Sequence, residues 1–290
     1  MGKICAIIIS YNIGERIKRC ITAIENQVDQ VLIIDNGSNA ETINQLRKVE
    51  SEKIKVIYNK SNIGIAKALN IGVEYSIKNN FYWTLTLDHD SVADKNMIFN
   101  MINTYNALTL SDKEKVVSIF PRVVEETFND DKNFYVNEGY IYTSHGITSG
   151  NLIKNEVFNK IGLFKEEFFI DYVDNEFCFR ISKNNFKMIT VNNAILLHNL
   201  GEPEKIKTPF GKFTTTNHSA IRRYYITRNR FQTWREYEDI IPNFIKEDRR
   251  VFIKENIKII LFEKDKINKF KMIYKGYKDY KACNFGKLEE

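Results

Sequence analysis

Phe81 to Ser91 reads FYWTLTLDHDS, an apolar run that stops abruptly on two acids one residue apart. Phe81 to Leu87 has the length and character of a buried strand, and it closes at Asp88-His89-Asp90-Ser91. Side chains two apart along a strand project to the same face, so Asp88 and Asp90 point together and His89 points away. Two carboxylates on one face require a cation. Hard divalent ions such as Mg²⁺ and Mn²⁺ take carboxylate oxygens and keep their remaining positions for waters and substrate phosphates.

Working outward, the same strand-then-helix unit recurs on the N-terminal side. Lys3 to Ser10 is an isoleucine-rich strand that breaks at Tyr11-Asn12, and Ile17, Cys20, Ile21 and Ile24 mark a helix between Glu15 and Gln27. Val31 to Ile34 ends at Asp35-Asn36-Gly37-Ser38; Ile54 to Tyr58 is a third strand, and Ile65, Leu69 and Val73 line a helix running to about Lys78. Strands alternating with helices predict an α/β fold, a doubly wound sheet with right-handed crossovers and ligands at the carboxyl ends of the strands. Beyond Val116 to Phe120 the regularity weakens, and turn residues through Ser149-Gly150-Asn151 suit an acceptor side. From about Asn217 the chain reads as helices, interrupted most clearly at Pro242. The expected division is an α/β domain over 1–215 and a helical segment over 216–290.

The bulk figures narrow the function. In 290 residues, 43% hydrophobic and 28% charged, there is no repeat and no run approaching the roughly 20 apolar residues of a membrane span, and Cys5, Cys20, Cys178 and Cys283 lack paired metal-site spacing. Reduced thiols and a cytoplasmic location are expected. The net charge of +6 comes largely from the tail, where Lys264, Lys266, Lys269, Lys271, Lys275, Lys278 and Lys281 face few acids. Positive charge so far from the aromatic crevice argues against a nucleic-acid binder. Ile267, Phe270, Tyr274 and Tyr277 can share a helical face among these lysines, a pattern suited either to the inner face of an anionic membrane or to docking on the core.

With these residues in view, the chain resembles the family 2 glycosyltransferases of the GT-A fold, and within them the bacterial rhamnosyltransferase-like branch. The motifs that carry the resemblance run in order: Ile8 to Asn12 (IISYN), Ile33 to Ser38 (IIDNGS), Asn62-Ile63-Gly64 with Ala66, Ala68, Asn70 and Gly72, Asp88 to Ser91, Thr148 to Asn151 (TSGN), Phe169 to Arg180 (FIDYVDNEFCFR), His198 to Gly201 (HNLG), and Tyr224-Tyr225 with Arg228-Asn229. They span roughly residues 3 to 230. The resemblance implies inverting transfer of a sugar, rhamnose from dTDP-rhamnose, from a nucleotide diphosphate donor to a saccharide or lipid-linked saccharide acceptor, with Mn²⁺ or Mg²⁺ as cofactor. A UDP-hexose donor is the alternative, and the chain can form a homo-oligomer.

Residue roles follow from the same resemblance. Asp35 would accept a hydrogen bond from the N3–H of uracil or thymine, since an ionised carboxylate is acceptor-only. Ser10, Asn12, Asn62, Gly64, Ala66, Asp88, His89 and Arg228 would frame the nucleotide-sugar, glycine by letting backbone approach closely and arginine by its bidentate fit to phosphate. Ser149, Gly150 and Asn151 would meet the acceptor. Asp88, Asp90 and His198 would hold the metal. Asp174 would take the acceptor's hydroxyl proton; the family's Glu-Asp pair falls on Val173-Asp174 when Arg180 is the anchor, so the first acid is missing and Asp171 and Glu176 remain alternatives.

Two other readings are weaker. A sugar-phosphate nucleotidyltransferase would carry a basic, glycine-rich loop after the first strand, where this chain has Ser10-Tyr11-Asn12-Ile13-Gly14. A non-catalytic nucleotide- or carbohydrate-binding module would not need Asp88, Asp90 and Asp174 together.

Overall fold

The protein is described by a computed structural model covering residues 2–125, 138–198, 204–208 and 211–289. Asn199 to Gly201 of the HNLG stretch lie outside the described residues. The chain forms two compact units, one of residues 1–166 and 173–199, the other of residues 167–172 and 200–290.

The first unit runs β1 (Ile4–Ser10), α1 (Ile17–Ile24), β2 (Gln30–Asp35), α2 (Ala40–Val49), β3 (Ile54–Tyr58), α3 (Ile65–Lys78), β4 (Trp83–Asp88), β5 (Val92–Ala93), α4 (Met97–Ala107), α5 (Leu110–Lys115), β6 (Val116–Glu125), β7 (Tyr140–Thr143), β8 (Asn151–Lys154), α6 (Asn155–Ile161), α7 (Val173–Lys183) and β9 (Lys187–His198). The sheet order is β3-β2-β1-β4-β8-β6-β9-β5, with β7 beside β9. β3, β2, β1 and β4 are parallel neighbours, as the alternating pattern predicts. β8 enters antiparallel to β4 and to β6, so the sheet is mixed.

Alternation along β1 sorts the two layers. Ile4, Ala6 and Ile8 join a buried cluster with Ile17, Cys20 and Ile21 of α1 and Met97 and Met101 of α4. Ile7 points the other way, to α3, where a Cβ built on Gly72 would lie 2.5 Å from the Ile7 side chain; the glycine sets how close helix and sheet come. Register fixes what lies at the carboxyl edge: Ser10 pairs with Asp35, and Ile9 with Asp88. The polar ends of three strands are thereby set side by side.

The second unit holds a hairpin, β10 (Glu204–Thr208) with β11 (Gly211–Thr215), and three helices, α8 (Ala220–Tyr237), α9 (Pro242–Phe262) and α10 (Lys266–Lys281). The hairpin, placed by the sequence with the α/β domain, groups with the helices. α8 is buried on nearly all sides, its polar residues included. Arg223 and Lys269 pair with Glu263, while Arg230 meets Asp248 and Glu255. α10 docks on α8 at Gly276, where an added Cβ would stand 2.5 Å from the Tyr224 carbonyl oxygen, and the Tyr277 and Tyr280 rings meet Phe231. The face expected to be continuous is therefore divided. Tyr277 turns to α8 and Phe270 is half-buried, while Ile267 and Tyr274 stay exposed.

Candidate active site

The carboxyl ends of β1, β2 and β3 carry three loops that lock one another. Asn12, at a left-handed φ of 51°, receives the Asn39 N–H on its side-chain oxygen and gives its own N–H to Ser38 Oγ. Asn36 donates to the Asn62 side chain and the Gly64 carbonyl and accepts the Ile63 N–H, while Asn62 Oδ1 also accepts the Gly64 N–H. Gly64 needs its freedom, at φ 89°, to turn the chain into α3. Asn12 and Asn62 thus shape the loops. Asn36, quoted in the motif without a role, is the residue that joins two of them.

Within this frame Ser10 and Asp35 are fully buried. Asp35 Oδ2 accepts the Ser38 N–H at 3.1 Å, but Asp35 Oδ1 and the neighbouring Ser10 Oγ have no hydrogen-bond partner. A buried carboxylate oxygen without a donor is costly, and a water, an ion or a ligand is what ordinarily satisfies such a group. Ala66 is fully buried as well and offers no surface.

The end of β4 carries the second cluster. Asp88, Asp90 and His198 each offer a ligand atom within 4.8 Å of the others. His198 Nε2 lies 4.0 Å from Asp88 Oδ2, and His198 Nδ1 lies 3.9 Å from Asp90 Oδ1. Burial pushes the His198 imidazole below its ordinary pKa, with Asp90 pulling the other way; the neutral ring is the form that ligates. His89 is fixed differently, its Nδ1 3.0 Å from the Ile9 carbonyl oxygen.

Behind the triad runs a short chain of hydroxyls. His198 Nδ1 is 2.7 Å from Ser91 Oγ, Ser91 Oγ is 2.7 Å from Ser149 Oγ, and Ser149 Oγ accepts the Asp88 N–H at 3.1 Å. With Nδ1 engaged by Ser91, Nε2 is the nitrogen left for a cation. Ser149, Gly150 and Asn151, expected to meet an acceptor, are all three interior. Gly150, at φ 84°, has no room for a Cβ beside Pro121, and Asn151 accepts the Ser118 hydroxyl hydrogen at 2.6 Å. Ser91 is the functional neighbour that sequence reasoning missed; its place directly after the acidic pair was the available signal.

Three acids compete for the role of base. Glu176 is buried and held by a two-pronged pair with Arg180. Asp171 belongs to the second unit, where Arg222 grips it; burial raises its pKa against that arginine. Asp174 stands half-buried in the first turn of α7, one oxygen accepting the Asn175 N–H. α7 belongs to the same unit as β9 and His198.

Arg228, expected at the donor diphosphate, is 1% exposed in the second unit. Its five N–H donors are matched by Asn229, the Tyr224 hydroxyl and the carbonyls of Gly286, Glu167 and Phe168. Nothing of its guanidinium is left over for a phosphate. Arg228 is a tie within the helical unit.

Residues 5–161 match the family model for Glycosyl transferase family 2, just over half of the chain. A dTDP-rhamnosyl transferase, RfbF of Shigella flexneri, is 29% identical over 290 aligned residues, covering 93% of this chain and 92% of the relative. Among solved structures, S. aureus TarS 1-349 in complex with UDP-GlcNAc superposes with a TM-score of 0.65 at 12% identity, covering 96% of this chain and 80% of that one. GalNAc-T7 with UDP, GalNAc and Mn²⁺ gives 0.62 at 12% identity, with 97% of this chain matched to 56% of that one. At such identity the two structures speak for the fold, which is GT-A-like.

Proposed function

The chain belongs to glycosyl transferase family 2, and we propose that it moves rhamnose from dTDP-rhamnose to a saccharide acceptor in cell-surface polysaccharide synthesis, with inversion at the anomeric carbon. The donor reading is supported by the near full-length similarity to the Shigella flexneri dTDP-rhamnosyl transferase. Asp35 carries the nucleotide half of the reading: a fully buried carboxylate oxygen without a partner, at a strand end, suits the N3–H of thymine.

Asp88, Asp90 and His198 fit a divalent cation by their chemistry, two carboxylates and one neutral imidazole within reach of a common point. Mn²⁺ accepts that set readily, and Mg²⁺ would lean on the carboxylates. Such a cation, when bound, supplies positive charge to a departing diphosphate. The chain's own residues do the rest. Asn36 and Asn62 hold the loops over the base, Ser91 orients the His198 ring, and Asp174 takes the acceptor hydroxyl proton as the oxygen attacks from the face opposite the leaving group. Asp171 and Glu176 are each paired with an arginine; Asp174 is taken as the base because the family's acid pair falls on Val173-Asp174 when Arg180 is the anchor.

A panel of nucleotide-sugars tested for thermal stabilisation with Mn²⁺ and with chelator addresses the donor, since a ligand bound only by the native state raises its apparent stability. dTDP-rhamnose is expected to stabilise most, and only with the metal. Stabilisation by UDP-hexoses above thymidine donors would replace rhamnose with the alternative donor class.

A further inference from the structure

α9 uses one side for the interior of the helical unit and, in its second half, sets large aliphatic side chains on the other. Ile245, Asp248 and Ile259 are its buried residues, and Glu255 turns inward to Arg223 and Arg230. At 100° per residue the opposite side carries Ile253, Ile257, Ile260 and Leu261, spaced i, i+4, i+7 and i+8, and each is about half exposed or more. Past the helix end, Lys266 donates to the Ile260 carbonyl at 2.6 Å, and Ile267 after it is 73% exposed. Four large aliphatic side chains in one outward band, with exposed Ile267 at the start of the next helix, form a patch of the kind soluble surfaces avoid unless something covers it.

The charge around the band selects the cover. Lys254, Lys264 and Lys266 are exposed along it, whereas the acids of the same stretch are mostly spent elsewhere. Glu255 is paired inward, Glu263 is buried against Lys269 and Arg223, and Asp265 accepts from Asn268 at the start of α10. A second copy of the chain would set one lysine rim against another. An anionic lipid surface meets both demands, taking aliphatic side chains at the acyl boundary and lysines at the headgroups.

We infer that the outward face of α9, with Ile267, docks on a phospholipid surface rich in anionic headgroups. The face expected from sequence lay on α10, but that helix commits Gly276, Tyr277 and Tyr280 to α8; the free apolar band belongs to its neighbour. The inference does not depend on the donor or on catalysis, because binding is read without either.

Co-sedimentation of the full chain with phosphatidylglycerol vesicles, against phosphatidylcholine vesicles, tests it. The parent is expected to pellet with the anionic vesicles and to be released by salt. Ile257→Ser with Leu261→Ser, and separately Lys254→Glu with Lys264→Glu, should each cut the bound fraction by about tenfold while leaving the melting transition in place. Three results would overturn the inference: a parent that stays in the supernatant, vesicle binding that both double variants retain, or a dimer by light scattering that Ile257→Ser with Leu261→Ser dissolves.

Discussion

Asp35 and Ser149 show how differently a quoted motif residue can act. Removing Asp35 deletes the acceptor for a base N–H and should weaken dTDP binding by on the order of 1 to 3 kcal/mol, with little loss for a purine diphosphate; calorimetry on Asp35→Ala reads this, and equal losses for both would remove Asp35 from the base site. Ser149→Ala should weaken Mn²⁺ affinity by roughly tenfold, because it breaks the hydroxyl chain that orients His198 and frees the Asp88 N–H. Paramagnetic resonance of free Mn²⁺ measures it. Unchanged affinity would make that chain mere packing. The acid pair was legible in the sequence because the apolar run stops on it, although β4 ends at Asp88 and Asp90 stands in the turn beyond it, not on the strand. The interior position of Ser149 was not, since serine and glycine after a turn read the same whether they face a ligand or a neighbouring strand.

At the scale of elements, the parallel strands were legible from their apolar runs, whereas the helical unit hid its wiring. α8 carries arginines and glutamine on several sides, and these groups are interior because Glu255, Glu263, Asp248 and backbone carbonyls satisfy them. Arg228, placed at the diphosphate by the resemblance, is among these interior groups. Gly276→Ala should separate α8 from α10 and cost about 1 to 3 kcal/mol by denaturant titration, because the backbone oxygen it meets cannot move aside cheaply; a variant as stable as the parent would mean the helices part without cost. His218 gives the same unit a pH dependence. Burial, with Arg222 and Arg223 beside it, pushes its imidazole down to about 4, while the unfolded chain holds it near 6.5. Between those values the unfolded state binds a proton that the folded state refuses, so stability falls as pH drops from about 6.5 toward about 4. Melting temperatures should decline across that window and decline less in His218→Gln; identical curves would contradict the assignment. In the other unit, Asp174 stands at the start of α7, and Asp174→Asn should cut turnover by roughly 10² to 10⁴ with donor affinity nearly unchanged. Near-parental turnover would pass the role to Asp171 or Glu176.

Across the whole molecule, the residues proposed for the nucleotide and for the cation lie at one edge of one sheet, on the two strands that flank β1: Asp35 on one side, Asp88 on the other. Local pattern made that edge readable. What closes the metal end is His198, 108 positions beyond Asp90 in sequence, and the antiparallel pairing of β5 with β9, Val92 opposite Leu197, is what brings it there. No spacing rule could supply that pairing, so only the resemblance pointed to the histidine. Among the described residues no helix is long and apolar enough to cross a membrane. The central claim is that the Asp88, Asp90 and His198 cluster exists to hold a cation against a nucleotide diphosphate. Calorimetric titration of dTDP into the parent and into Asp90→Ala, each with Mn²⁺ and with chelator, tests it most directly. The parent should bind only with the metal, and Asp90→Ala should bind weakly and equally in both conditions while melting as the parent does; metal-dependent affinity that survives in the variant would contradict the claim.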